Sequence, residues 1–224
     1  PYLDQKVSAK QVIAGFGGLR PLIASDPGKG TKGLVRDHEV EHDKTSNLVS
    51  LLGGKWTTYR LMAKDTIDYV EEHFLARQQA CSTDQQILVG GENFVAEDWS
   101  KLVAASGLPA NTCQYLHQHY GSRATTLLSV LDEKEAWKKP LVEGYPYLIG
   151  EAVYAARYEM AGTVRDFLAR RIRLEILDWD AAQQAAGRVA KAMGQELGWE
   201  EAYILQSAEE YIEQLYAIRE LAQA

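Results

Sequence analysis

The sequence predicts an α+β chain, in which a short strand-and-helix portion precedes a mostly helical domain. Three observations carry that class. Asn47–Leu52 is a short, largely apolar run that reads as a buried strand. It ends at Gly53-Gly54, and beyond these Tyr59, Met62, Ala63, Ile67, Val70 and Phe74 recur at helical spacing. From Ala96 onward one amphipathic segment follows another to the end of the chain. The charge also changes texture near residue 76. Residues 1–75 carry ten Lys/Arg against ten Asp/Glu, whereas the rest holds the whole net charge of −7.

Taken in order, residues 1–10 are polar and read as a frayed end. Gln11–Ala24 reads as a strand interrupted at Gly15, Gly17 and Gly18, where a bulge or a close backbone approach is expected. Pro21 breaks the ladder and leaves Arg20 at an irregular point. Residues 25–33, with three glycines and two lysines, form a loop that serves either as a lid or as a plain solvated connection. Leu34–Glu41 alternates sides, so Arg36, His38 and Val40 share one face. Asp43–Ser46 turns the chain into the strand before Gly53. The register that would bring Arg36 towards Lys55 stays open.

Residues 76–97 read as a linker, with Gln86–Gly91 a short strand or an extended connection. The predicted helices then run over Asp98–Ala105, Ala110–Tyr120, Arg123–Val130 and Tyr147–Ala161. Another is capped by Thr163 and holds Val164 to Ile172, a further one starts at Asp178 or Asp180, and the last spans about Glu200–Ala222.

Composition narrows the function. Hydrophobic residues at 46% and charged residues at 25% suit a soluble globular chain, and no apolar run is long enough for a spanning helix. No signal peptide is visible, and Pro1 without a preceding Met suggests a cut or processed start. An acidic second half argues against nucleic acid. Cys81 and Cys113 form no CxxC pair and give no metal or redox motif; His117 and His119 point to different helix faces, so no metal site is expected. A reducing compartment is the default. Arg170-Arg171-Ile172-Arg173 reads as surface ion pairs, and Tyr145, Tyr147, Tyr154 and Tyr158 read as edges of a core.

The strand-to-helix junction at Gly53-Gly54-Lys55-Trp56-Thr57-Thr58 gathers free N–H groups and the positive end of a helix dipole. Two glycines allow close approach, and Lys55 with two threonine hydroxyls completes a place for an electron-rich group. It is not a P-loop, because Val49 and Trp56 stand where that loop needs Gly and Ser or Thr. Arg20, Arg36 and Lys55 together suit a phosphorylated or carboxylated substrate. The plainer alternatives are an ion-paired Arg20 and a glycine-punctuated turn with a surface lysine.

The ordered set Gly18-Leu-Arg-Pro-Leu22, Val35-Arg-Asp-His38, Gly53-Gly-Lys-Trp-Thr-Thr-Tyr-Arg60 and Thr163–Leu174 resembles FAD-dependent glycerol-3-phosphate dehydrogenase over nearly the whole chain. The Gly-x-Gly-x-x-Gly dinucleotide fingerprint of that family is absent, so the resemblance implies a C-terminal portion that is inactive alone. Residues 1–75 would be the end of an FAD/substrate-binding domain, incomplete by itself, and residues 80–224 a helical cap domain. The implied reaction oxidises sn-glycerol 3-phosphate to dihydroxyacetone phosphate, with hydride passing to FAD and electrons to a quinone.

By resemblance, Arg20 and Lys55 are catalytic, and Arg20, Arg36 and Lys55 bind substrate. Gly18, Leu19, Arg20, Gly54, Lys55, Trp56, Thr57 and Thr58 hold the cofactor. The intact enzyme is expected in the cytoplasm, peripheral at the inner face of the cell membrane, with a homodimer left open. The rival reading is a non-catalytic helical interaction module with a small β extension.

Overall fold

The computed structural model describes Ser8, residues 11–19 and residues 37–223. Arg20, Arg36 and the 25–33 loop lie outside the described residues. The chain forms two compact units. One runs from Gly17 to Ile87; the other joins Leu88 onward with the residues up to Phe16. The sequence reading places the change at 75–80 and gives the first residues to the strand portion.

In the smaller unit, β1 (His38–Asp43) and β2 (Leu48–Gly53) form an antiparallel hairpin in which His38 pairs with Gly53 and Asp43 with Leu48. Its tip is tied by Asp43, whose carboxylate accepts from Thr45 N at 2.8 Å and from Ser46 Oγ at 2.9 Å. Those bonds hold the Asp43 carboxyl below its ordinary pKa. β2 passes through a turn at Lys55–Thr58 into α1 (Tyr59–Val70). That helix widens into a single π turn, Glu71–Leu75, and stops at Ala76, whose φ is 47°. Half-buried His38, Val40 and His42 occupy alternate positions of β1.

The larger unit is helical. It comprises α2 (Trp99–Ser106), α3 (Ala110–Tyr120), α4 (Ala124–Asp132), α5 (Ile149–Tyr158), α6 (Trp179–Leu197) and α7 (Glu201–Gln223). α6 packs against both α5 and α7. Asp178 caps α6 by accepting from Ala181 N at 2.9 Å, and Gly198 ends it in the left-handed region. Thr163 Oγ1 accepts from Asp166 N at 3.1 Å, and the Asp166 carboxylate accepts in return from Thr163 N at 3.0 Å. The segment beyond is a π turn, Asp166–Arg171, rather than the α-helix that periodicity predicts. It buries Phe167 and Leu168 completely.

The described part of Gln11–Ala24 is not a strand. Residues 12–19 have no regular structure. The reason lies at Ile13, whose carbonyl accepts from Trp179 N at 3.0 Å, at the start of α6. The backbone partner is a helix end rather than a neighbouring strand. Gln86–Gly91 likewise has no strand partner among the described residues; it turns at Val89–Gly90, where Gly91 N donates to the Leu88 carbonyl at 2.8 Å. Instead, the Gly90 carbonyl accepts from Ser122 N at 2.8 Å. Both Gly90 and Gly121 have positive φ, and a Cβ on Gly121 would overlap the Gly90 carbonyl.

Candidate flavin-edge turn

The glycine turn is built from both its flanks. Gly53 and Gly54 take φ of 62° and 88°. A Cβ on Gly54 would stand 2.5 Å from Sδ at the movable end of Met62 and 3.2 Å from His38 Cβ, and at this positive φ any side chain is strained. Gly54 N donates to the Asp37 carbonyl at 3.2 Å and extends the hairpin ladder by one bond. Thr58 N and Thr58 Oγ1 both donate to the Lys55 carbonyl at 3.0 Å. The N–H groups of Lys55, Trp56 and Thr57 have no backbone acceptor among the described residues. They open a helix and carry its partial positive charge.

Lys55 is exposed, and Trp56, 86% exposed, stacks on Tyr59 with ring centroids 5.7 Å apart. A cavity of about 310 Å³ opens there, lined by Leu51, Gly53, Gly54, Lys55, Trp56, Tyr59, Met62 and Ala63. Three of the predicted cofactor residues, Gly54, Lys55 and Trp56, therefore share one cavity wall. Thr57 and Thr58 belong to the same turn. Gly18 and Leu19 lie in the irregular segment, and Leu19 is fully exposed. The donor set fits an electron-rich, planar ligand edge: several N–H groups, one ammonium and an aromatic face.

Beneath the turn lies a pair with no signal in the sequence. His38 Nε2 and Asp65 Oδ2 are 2.8 Å apart, joining β1 to α1, and the imidazole is 9% exposed. Its Nδ1 lies 3.4 Å from Asp37 Oδ1.

The remaining candidates resolve into structure. Arg165 pairs with buried Glu175 at 3.0 Å, Arg170 with Asp166 at 3.0 Å and Arg171 with Glu159 at 3.3 Å. The last two are ion pairs of the basic run, whereas Arg165 lies outside it and Arg173 has no ion pair among the described residues. Burial, with Arg173 nearby, pushes the His119 pKa down. Tyr147 and Tyr154 are buried, and Tyr145 donates to Asp178 at 2.7 Å. Among the described residues no cluster of His, Cys, Asp or Glu is able to hold a metal ion, and no helix is long and apolar enough to cross a membrane.

A helical domain and a strand–turn–helix unit with an N–H-rich glycine junction are what fold and site define. The chain belongs to the family described as the C-terminal domain of alpha-glycerophosphate oxidase, whose model matches residues 81–204. A protein of Caenorhabditis elegans named as a probable mitochondrial glycerol-3-phosphate dehydrogenase is 38% identical over 210 residues, covering 90% of this chain and 28% of the relative. A Dictyostelium discoideum protein of the same name is 34% identical over 201 residues, covering 87% and 31%. A solved structure, the glycerol-3-phosphate dehydrogenase from Bacillus halodurans complexed with FAD, superposes with a TM-score of 0.74 at 27% identity, covering 94% of this chain and 41% of that one. The resemblance read from the motifs is thus borne out. The chain spans less than a third of the length of these two curated relatives.

Proposed function

We propose that this chain is the substrate-edge segment and C-terminal domain of an FAD-dependent dehydrogenase that oxidises sn-glycerol 3-phosphate to dihydroxyacetone phosphate. The observation that carries this reading is the Gly54–Thr58 turn: its Lys55–Thr57 N–H groups have no backbone acceptor among the described residues, and Gly54, the exposed Lys55 ammonium and the exposed Trp56 indole line one cavity. A helical interaction module has no use for such donors at glycine backbone, so that rival is set aside.

FAD, when bound, supplies the hydride acceptor for carbon 2 of the substrate. The residues of this chain bind and orient. Gly54, Trp56, Thr57 and Thr58, with Gly18 and Leu19, hold the electron-rich edge of the cofactor. Donors fixed before reaction stabilise the negative charge that develops there. Lys55 takes the substrate hydroxyl or phosphate, Arg20 the substrate oxygen beside the flavin, and Arg36 the phosphate through a bidentate fork. The electrons pass to a quinone, with the enzyme cytoplasmic and peripheral at the inner face of the cell membrane.

The experiment is Arg36→Lys in the full-length FAD-loaded enzyme. Lysine keeps the charge and loses the fork. Loss of a charge-assisted contact of this kind is worth about 1.5–3 kcal/mol, so kcat/KM for sn-glycerol 3-phosphate should fall by about 10–150-fold while FAD content is unchanged. Glycerol, which lacks the phosphate, should hardly notice the change. Equal losses on both substrates would make Arg36 a structural partner of a carboxylate and remove the phosphate assignment.

A further inference from the structure

The Gly53–Thr58 turn has no side-chain cap of its own. Neither the Trp56–Thr58 turn nor α1 has a side-chain hydrogen bond at its N-cap. A helix start usually gains definition from such a cap. Here, two glycines in the left-handed region lead into an uncapped start, and glycine is the residue that restrains a backbone least. Something else must fix the direction in which Lys55 and the free N–H groups face.

The flanks supply it. Asp37 accepts from Gly54 N on the strand side. On the helix side, His38 Nε2–H donates to the Asp65 carboxylate at 2.8 Å, across 27 residues of sequence. His38 Cβ also forms the floor under Gly54, together with Met62 from the same helix as Asp65. The His38–Asp65 bond thus closes a loop of structure around the turn: strand, turn, helix and back to the strand. A charge-assisted bond to a half-buried carboxylate is among the stronger local restraints available.

We propose that His38 and Asp65 are positioning residues for the reaction, bracing the turn so that Lys55 and the Lys55–Thr57 N–H groups keep a fixed direction. This rests on the reading of that turn as the flavin and substrate face. His38 is not placed as the base: Asp65 holds its Nε2, and its other ring nitrogen, Nδ1, is buried away from solvent.

The test uses the full-length FAD-loaded enzyme. Asp65→Ala and His38→Ala should each lower kcat/KM for sn-glycerol 3-phosphate by about tenfold or more, and the double variant should be no worse than the poorer single one. Asp65→Asn keeps an acceptor, and His38→Gln keeps a donor at the place of Nε2. Both should stay within about threefold of the parent enzyme. Hydrogen exchange supplies a readout independent of turnover. The bonded amides of Gly54 and Thr58 should exchange about tenfold faster in the alanine variants and at the parent rate in the conservative ones.

Alanine variants within about twofold of the parent in both readouts overturn the brace, as do losses that multiply in the double variant. If the alanine variants fail to fold, the conservative pair decides, and a tenfold loss in either overturns it. A parent enzyme that holds FAD but does not oxidise the phosphate ester would sink the functional reading instead. Amide exchange would still decide the brace.

Discussion

Glu151 shows how far a single residue departs from its ordinary chemistry. Its carboxylate is fully buried, accepting from Tyr115 and Tyr120 hydroxyls at 2.8 Å each and from Leu148 N at 2.5 Å. Burial raises its pKa to about 7, although the three donors pull it back. The folded state therefore keeps a proton that the unfolded state has released between the ordinary carboxylate range and about pH 7. Stability falls as pH rises through that window and levels off above it. The fall is on the order of 3 kcal/mol. Urea unfolding at pH 5 and pH 8 should show it, and Glu151→Gln should flatten the slope. A slope that survives in Glu151→Gln would assign the effect to another group.

The same scale marks the limit of sequence reading. Gly54 and Lys55 stand out in the sequence because glycine pairs and a lysine at a strand end are local signals. The His38–Asp65 pair and Glu151 with its tyrosines are not, because their partners meet only when distant segments fold together.

Elements differ in how legible they are for a similar reason. α3 begins and ends where predicted, between Pro109 and Gly121, because the flanking residues break a helix on both sides. The π turns at Glu71–Leu75 and Asp166–Arg171 leave the apolar periodicity intact, so nothing in the pattern separates them from α-helix. The Val12–Ala14 segment carries strand-like residues, yet its partner is the start of α6. Val12 and Ala14 pack on the core, and a side chain built on Gly15 would stand 3.5 Å from the Trp179 ring. Trp179 is 1% exposed under this strap. Trp179→Ala should lower stability by about 3–5 kcal/mol, the usual loss for a buried aromatic side chain, and Trp179→Phe by less. Limited proteolysis should then cut within residues 11–16 sooner than in the parent chain. Unchanged cutting would show that the strap is held by something other than Trp179.

At the scale of the whole molecule, the two units are unequally able to stand alone. Among the described residues, the buried apolar core runs from Leu102 to Leu215, all within the helical unit. That unit also closes on itself. Arg157 reaches Glu133 at 2.6 Å and Glu196 at 2.7 Å, tying α5 to the end of α4 and to α6, and the Gly90–Ser122 bond pins its first residues. The hairpin with α1 has no buried apolar residue among those described, and Trp56, Leu61, Ile67 and Phe74 of that unit are exposed. A helix steadies a hairpin by burying apolar surface against it, and with none of its described apolar side chains fully buried this unit has little to hold it together alone. Residues 88–224 expressed alone should therefore give a helical circular dichroism spectrum and a single cooperative thermal transition. Its midpoint should lie below that of the whole chain, because the 11–16 strap over Trp179 is missing. Residues 37–87 expressed alone should show no cooperative transition. A helical signal from 88–224 that melts without cooperativity, or a sharp melt from 37–87, would mean that the stability of the chain is not divided as its buried core is.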